Sequence, residues 1–372
     1  MSGAHKEPLP YYLYLDSKII GTAKQTVTFF EHGIFQKENT VVLLKKYAHA
    51  SNTKIRQILE QAGITCRVVN MGDIDRLESG IIFYPFNAQS NARTAANRKL
   101  KHIFVTHGES SKAASVKPII RIYDHVATAG QAGIDRFLAH RIFSNHDVET
   151  GRLIKMGNTF VGSTGLASSF SDGLPCIFYA PTWEGGIESE NYSSLSHTEA
   201  LSCTLTTLAQ QHQTAAIVIR PHPNTGHRLK IYRKHLLNLM LALSKNGLSV
   251  MVQTQNLPLS LKEKWACRRH KITYGNHISA YRALFGLCDI SAMETQLLNE
   301  NIPYYLYWNA LQHPFTLCNP KAYRAAPPEF AHYWEPDPGH YPQESYKNYV
   351  IDAEMSSHPI TSRINLLLQQ IK

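Results

Sequence analysis

The chain has 372 residues, of which 43% are hydrophobic and 18% charged; this excludes a disordered polymer and exceeds one ordinary core, so two domains are expected. A net charge of +10, with 19 histidines besides, favours anionic partners: nucleotides, phosphate polymers, nucleic acid or an acidic membrane face. The six cysteines (Cys66, Cys176, Cys203, Cys267, Cys288 and Cys318) are widely spaced with no CxxC pair; they read as reduced thiols, which argues against a disulfide framework and a zinc site.

The first residues, MSGAHKEPLPYY, hold no apolar core of signal-peptide length. No apolar run approaches the roughly 20 residues that span a bilayer. A cytoplasmic location is expected, with contact to the inner membrane face through basic or aromatic patches left open. Tyr11–Leu15 and Thr40–Leu44 read as strands, and Ser51–Ala62 as a helix with Ile55, Ile58 and Leu59 on one face. Cys66–Asn70 and Ile81–Phe86 are further strands, and Ser90–Leu100 an exposed basic helix. Ile103–Val105 is a buried strand that runs into Thr106-His107-Gly108-Glu109-Ser110. Pro118–Tyr123 leads into Asp124, and Ala132–His140 is a short helix. Gly157–Gly173, rich in Gly, Ser and Thr, reads as a hinge, with the domain boundary near Gly165–Asp172.

The alternation then repeats. Cys176–Tyr179 is a strand, and Ser196–Gln211 a helix with a Ser196/Glu199 capping box. Ala215–Arg220 is a strong strand, Arg228–Lys245 a long helix, and Leu248–Val252 and Ile272–Tyr274 are strands. Ile278–Cys288 and Met293–Glu300 read as helices around Asp289-Ile290-Ser291. Pro303–Tyr307 is a strand, Pro314–Tyr346 an irregular aromatic stretch, and Thr361–Ile371 a closing helix. This order predicts an α/β chain of GT-B type: two doubly wound Rossmann-like domains facing a central cleft. Residues 1–165 would bind the acceptor and 166–350 the nucleotide donor, with 351–372 a C-terminal helix packing back towards the first domain.

Ligands of doubly wound sheets bind where strands end, so polar residues there are the candidate chemistry. His107 stands on a Gly-containing bend as a candidate base, and Asp124 as a carboxylate to orient it; the plainer readings are a loop histidine and a surface aspartate. Arg220 and His222 are framed by Pro221 and Pro223, a rigid pair suited to a phosphate leaving group, or else a tight structural turn. Ser291 and Glu294 predict a capping box at a helix start, where free N–H groups also suit phosphate; Glu294 would suit a ribose hydroxyl better than a phosphate. Thr182 offers a hydroxyl, and Trp183 either a flat face for a base or sugar, or core packing. GxGxxG after a strand, GxxxxGK[ST] and GxSxG are all absent. Asp73-Ile74-Asp75 has the letters of a DxD metal motif but falls in a polar loop.

In order, HGES-SK (His107–Lys112), YDHVATAG (Tyr123–Gly130), YAPTWEG (Tyr179–Gly185), RPHP (Arg220–Pro223) and DIS-A (Asp289–Ala292) resemble the TagB/TagF-like CDP-glycerol glycerophosphotransferases of teichoic-acid and capsule synthesis. The resemblance implies a GT-B fold and transfer of glycerol phosphate from CDP-glycerol to a hydroxyl of a lipid-linked glycan, with release of CMP. It implies His107 as base, His222 as stabiliser of the donor diphosphate, and Ser291 with Ala292 at the donor phosphate; the family's second serine there is replaced by Ala292 or Met293. Donor contacts are expected from Arg220, Ser291, Ala292, Glu294, Thr182 and Trp183, and acceptor contacts from Gly108, Glu109, Ser110 and Lys112. No long extension is present, which favours a primase or single-addition enzyme. No protein metal site is visible, Mg²⁺ assistance is left open, and no nucleic-acid partner is expected. The rival readings are a GT-B enzyme using a CMP-sugar (Kdo or sialic acid) and a non-catalytic polyanion-binding module.

Overall fold

The computed structural model describes residues 10–47, 52–106, 108–168, 171–255, 257–310, 313–318 and 344–371. The chain divides into two compact units. Unit 1 holds residues 1–109, 116–162 and 348–372; unit 2 holds 110–115 and 163–347. Position 107 and most of the Pro314–Tyr346 stretch lie outside the described residues.

Unit 1 is built on a seven-stranded sheet in the order β3-β2-β1-β4-β5-β6-β7, with every pairing parallel. The strands are β1 (Tyr11–Leu15), β2 (Thr40–Lys45), β3 (Cys66–Val69), β4 (Ile81–Tyr84), β5 (Lys101–Phe104), β6 (His125–Thr128) and β7 (Leu153–Lys155). Between them run α1 (Ile20–Glu31), α2 (Thr53–Gln61), α3 (Met71–Asp75), α4 (Asn91–Ala95), α5 (Gln131–Ala139) and α6 (Asn145–Glu149). Strand residues alternate between the two faces. Leu13, Val42, Leu44 and Phe83 feed one core; Tyr14, Leu43, Ile82 and Tyr84 feed the other. This two-sided burial accounts for the continuous apolar run of TVVLL.

Unit 2 carries β8 (Leu174–Ala180), β9 (Ala216–Ile219), β10 (Ser249–Gln253), β11 (Thr273–Gly275), β12 (Tyr281–Asp289), β13 (Tyr304–Ala310) and β14 (His313–Cys318). Their order is β11-β10-β9-β8-β12-β13-β14, with only β14 antiparallel. Helices α7 (Thr198–Gln211), α8 (Ile231–Lys245), α9 (Leu261–Arg269) and α10 (Ala292–Asn299) make the crossovers, followed by α11 (Glu344–Val350). The chain then returns to unit 1 with α12 (Ala353–Ser357) and α13 (Arg363–Gln370), whose Ile364 and Leu367 enter the unit 1 core. Two doubly wound domains in succession, closed by a helix given back to the first, constitute the GT-B layout of the chain.

Several sequence expectations are corrected. Ile278–Cys288 is not a helix: Tyr281–Asp289 is the strand between β8 and β13. Its Phe-Gly-Leu-Cys run (Phe285–Cys288) is buried on both faces, and a side chain at Gly286 would press on Leu297 at 3.1 Å and Tyr304 at 3.2 Å. Pro118–Ile122 is a 3-10 turn. The basic helix of Ser90–Leu100 shrinks to α4. The Ser196/Glu199 capping box is absent, because Ser194–Ser196 is a separate 3-10 turn and α7 starts after His197. Among the described residues no cysteine is in a disulfide, and no helix is long and apolar enough to cross a membrane.

Candidate functional site

The strand order of unit 2 reverses between β8 and β12, and there the chain leaving β8 diverges from the chain leaving β12. Asp289 closes β12 and is fully buried. Its Oδ2 accepts the Thr182 N–H at 2.6 Å and the Ser194 N–H at 3.2 Å; its Oδ1 accepts the Ser194 hydroxyl at 2.5 Å. With that hydroxyl proton spent, Tyr179 donates its own to Ser194 Oγ at 2.7 Å. Burial pushes the Asp289 pKa up to about 7, against the pull of these bonds and of the Lys112 charge. Lys112 donates to Thr182 Oγ1 at 2.6 Å, and its ammonium lies 5.7 Å from the Tyr192 ring centre. Burial brings it down to about 8, opposed by Asp289 and Glu190.

Beside this cluster the loops after β8 and β9 are locked together. The buried Glu184 carboxylate accepts three backbone N–H groups, from Gly226 at 3.0 Å, Arg228 at 2.8 Å and Leu229 at 2.9 Å. Arg228 closes the clasp by donating to the Glu184 and Gly185 carbonyls at 2.9 and 3.0 Å. Gly185 (φ +71°) is needed at this turn, since a Cβ there would lie 2.4 Å from the Glu190 carbonyl. The clasp holds the Trp183 and His222 rings stacked, with centroids 5.9 Å apart and planes 15° off parallel, and His227 edge-on to Trp183 at 6.5 Å. His222 Nδ1 accepts the Asn224 N–H at 3.1 Å, which leaves Nε2 as the proton-bearing nitrogen of the neutral ring. Ser291 starts α10, and its Oγ accepts the Met293 N–H at 3.2 Å.

Thr182, Trp183, His222, Ser291, Ala292 and Lys112 therefore all belong to the carboxyl edge of one sheet. Lys112 was expected on the acceptor side; it comes instead with the 110–115 segment that unit 2 takes up. Arg220 turns one end of its guanidinium to the backbone: its Nη1 donates to the Ser163 and Thr164 carbonyls at 3.0 and 2.7 Å. Glu294 is fully buried, and the Ser291/Glu294 capping box does not form.

In unit 1, Asp124 precedes β6 and accepts the His102 N–H at 2.8 Å beside the Arg98 guanidinium. Burial alone would raise its pKa, but Arg98 and that N–H bring it below the usual carboxylate value. It sits at the amino end of the sheet. The loop after β5 leaves from the other end, about 13 Å along at 3.3 Å per residue, so Asp124 does not orient a base on that loop. Glu109 is likewise structural: its carboxylate accepts the Ala129 N–H at 3.0 Å and pairs with Arg136. Gly108 turns with φ +139° and accepts the Thr106 hydroxyl at 2.8 Å. Ser110 Oγ accepts the Lys112 N–H at 3.3 Å. His107 lies outside the described residues.

Sequence reasoning missed Glu184, Asp289 and Ser194 as the groups that set the site. The one signal was Asp289 in the Asp289–Ala292 stretch, which the sequence placed after a helix and the structure places at a strand end. Among the described residues no cluster of three His, Cys, Asp or Glu could hold a metal ion.

No family model matches the chain, and no curated protein does. Solved structures with a similar fold include Staphylococcus aureus MnaA with UDP, at 10% identity over 82% of this chain and 81% of that one, with TM-score 0.43. A Listeria monocytogenes putative UDP-N-acetylglucosamine 2-epimerase gives 9% identity over 80% and 79%, with TM-score 0.44. A Rickettsia africae glycosyltransferase gives 9% identity over 98% and 95%, with TM-score 0.42. No residue role is carried across from them.

Proposed function

We propose that this chain is a transferase that binds a nucleotide-activated donor at the carboxyl edge of its second sheet. Its specific reaction, on this reading, moves glycerol phosphate from CDP-glycerol to a hydroxyl of a lipid-linked capsule or teichoic-acid-type glycan, as a primase or single-addition enzyme. The observation that carries it is the convergence of Lys112, the Trp183–His222 stack and the Ser291 helix start on the β8/β12 reversal. Trp183 offers a flat apolar face to a nucleobase. Lys112 and the Nε2–H of His222 supply the positive and hydrogen-bonding groups a diphosphate needs. In the reaction the acceptor oxygen attacks the phosphorus that carries glycerol. The bond from that phosphorus to the bridging oxygen breaks, and CMP leaves with the electron pair. His107, assigned by the family resemblance, takes the acceptor proton.

The test is CMP release from CDP-glycerol, CMP-Kdo and CMP-sialic acid with capsule-type acceptors, alongside donor affinity by calorimetry. CMP from CDP-glycerol, reduced at least about 10²-fold in His107→Ala and His222→Ala, supports the proposal. Lys112→Met is expected to raise the donor Kd. CMP from a CMP-sugar would replace phosphoryl transfer by glycosyl transfer at the same site. Failure to bind CDP-glycerol or CMP at all would overturn the donor site itself.

A further inference from the structure

Helix α9 inverts the usual distribution of a surface helix. At about 100° per residue, Leu261 and Trp265 fall about 40° apart on one face, while Glu263 and Cys267 form the opposite face. It is Glu263 and Cys267 that are buried. Leu261 is 85% exposed and Trp265 63%, so the two large apolar side chains occupy the middle of the solvent face. Basic side chains flank them on both sides, Lys264 and Arg268 on one and Lys262 and Arg269 on the other. The Arg269 guanidinium lies 5.5 Å from the Trp265 ring centre. The one carboxylate of the helix, Glu263, is consumed inward by Arg233 at 2.7 and 2.8 Å. That pair ties the start of α9 to the start of α8 and leaves no carboxylate on the solvent face of α9. Protruding Leu and Trp in a field of one sign is the composition of an interfacial membrane contact. The apolar groups enter the headgroup layer and the cations meet lipid phosphates.

The geometry points to this face of α9 as a docking surface for an anionic phospholipid bilayer. The uniform positive charge selects that occupant: a second copy of the chain would bring the same charge against itself. Helix α9 begins after β10 ends, so its first turn, with Leu261, lies toward the same sheet edge as Trp183 and His222. Docking there would bring the donor edge to the headgroup plane, where a lipid-linked hydroxyl waits; this last consequence rests on the function proposed above, whereas the docking itself does not.

The experiment is co-sedimentation of the full chain with phosphatidylglycerol-rich vesicles and with phosphatidylcholine vesicles, without donor or acceptor. Binding is expected to the anionic vesicles only, and to weaken with salt. Leu261→Ser/Trp265→Ser should abolish it, and Lys262→Ala/Arg268→Ala should weaken it about 25-fold, at about fivefold per basic side chain. These positions are exposed, so the thermal midpoint should stay that of the parent. Three results would overturn the proposal. The chain could stay in the supernatant with anionic vesicles. The Leu261→Ser/Trp265→Ser variant could bind as well as the parent, as a polyanion-binding surface would. Sedimentation velocity without lipid could reveal a dimer that this variant dissociates, assigning the face to a second copy.

Discussion

Replacing Glu184 tests whether the clasp between the β8 and β9 loops is what sets the Trp183–His222 stack. Glu184→Ala removes the acceptor from three backbone N–H groups at once. Each buried N–H left unsatisfied costs about 1–3 kcal/mol. Water entering the vacated space recovers part of this, so about 3–6 kcal/mol is expected. Glu184→Gln separates the contributions. Its amide oxygen can replace Oε1, which serves Arg228 and Leu229, but its NH₂ would face the Gly226 N–H. One bond is lost, and the cost should be about 1–3 kcal/mol. Urea denaturation followed by far-UV circular dichroism gives both values, and nucleotide affinity gives the consequence for the site. Glu184→Gln should remain folded and bind donor more weakly, because the loop carrying His222 loses one of its anchors. Equal costs for the two variants, or less than about 1 kcal/mol for Glu184→Ala, would refute the accounting.

Three further outcomes are expected. Asp289 holds its proton more tightly folded than unfolded, with a pKa of about 7 against an ordinary 3.8. Its contribution is therefore full below about pH 4 and lost as pH rises through about 7, a change on the order of 4 kcal/mol at most; Asp289→Asn should flatten that part of the urea-midpoint profile, and an unchanged slope would discount the group. Asp124→Ala should cost stability through the His102 N–H left without its acceptor, about 1–3 kcal/mol, yet leave turnover within about twofold; a 10²-fold loss would return Asp124 to the catalytic group. Leu367→Ala, on α13 in the unit 1 core, should cost about 2–5 kcal/mol, read from the thermal midpoint, and a neutral result would detach that helix from the core.

What the sequence disclosed depended on range. Thr40–Leu44 and Ala215–Arg220 were legible because β-branched runs between turn residues have few alternatives; they are β2 and β9. Tyr281–Asp289 was not, since its Ala and Leu spacing mimics a helix, and only the neighbours β8 and β13 make it a strand. The same division holds at the site. Thr182, Trp183 and His222 were legible as residues following strands, and Ser291 as a helix start. Glu184 was not singled out, because its three partners lie more than 40 residues downstream. Lys112 was legible as a cation but not as a member of unit 2, since the chain enters that unit for six residues and leaves again. Asp124 was misread because Pro118–Ile122 forms a 3-10 turn, which moves Asp124 from the end of a strand to the start of one.

The return of α13 to unit 1 also fixes an order of events during synthesis. Domains generally fold from the N-terminus as the chain emerges. Here Ile364 and Leu367, which complete the hydrophobic core of the first-made domain, leave the ribosome only after all of unit 2 has emerged. The first sheet must therefore wait, its core open, while the second acquires its full sequence, and the half made first is the half finished last.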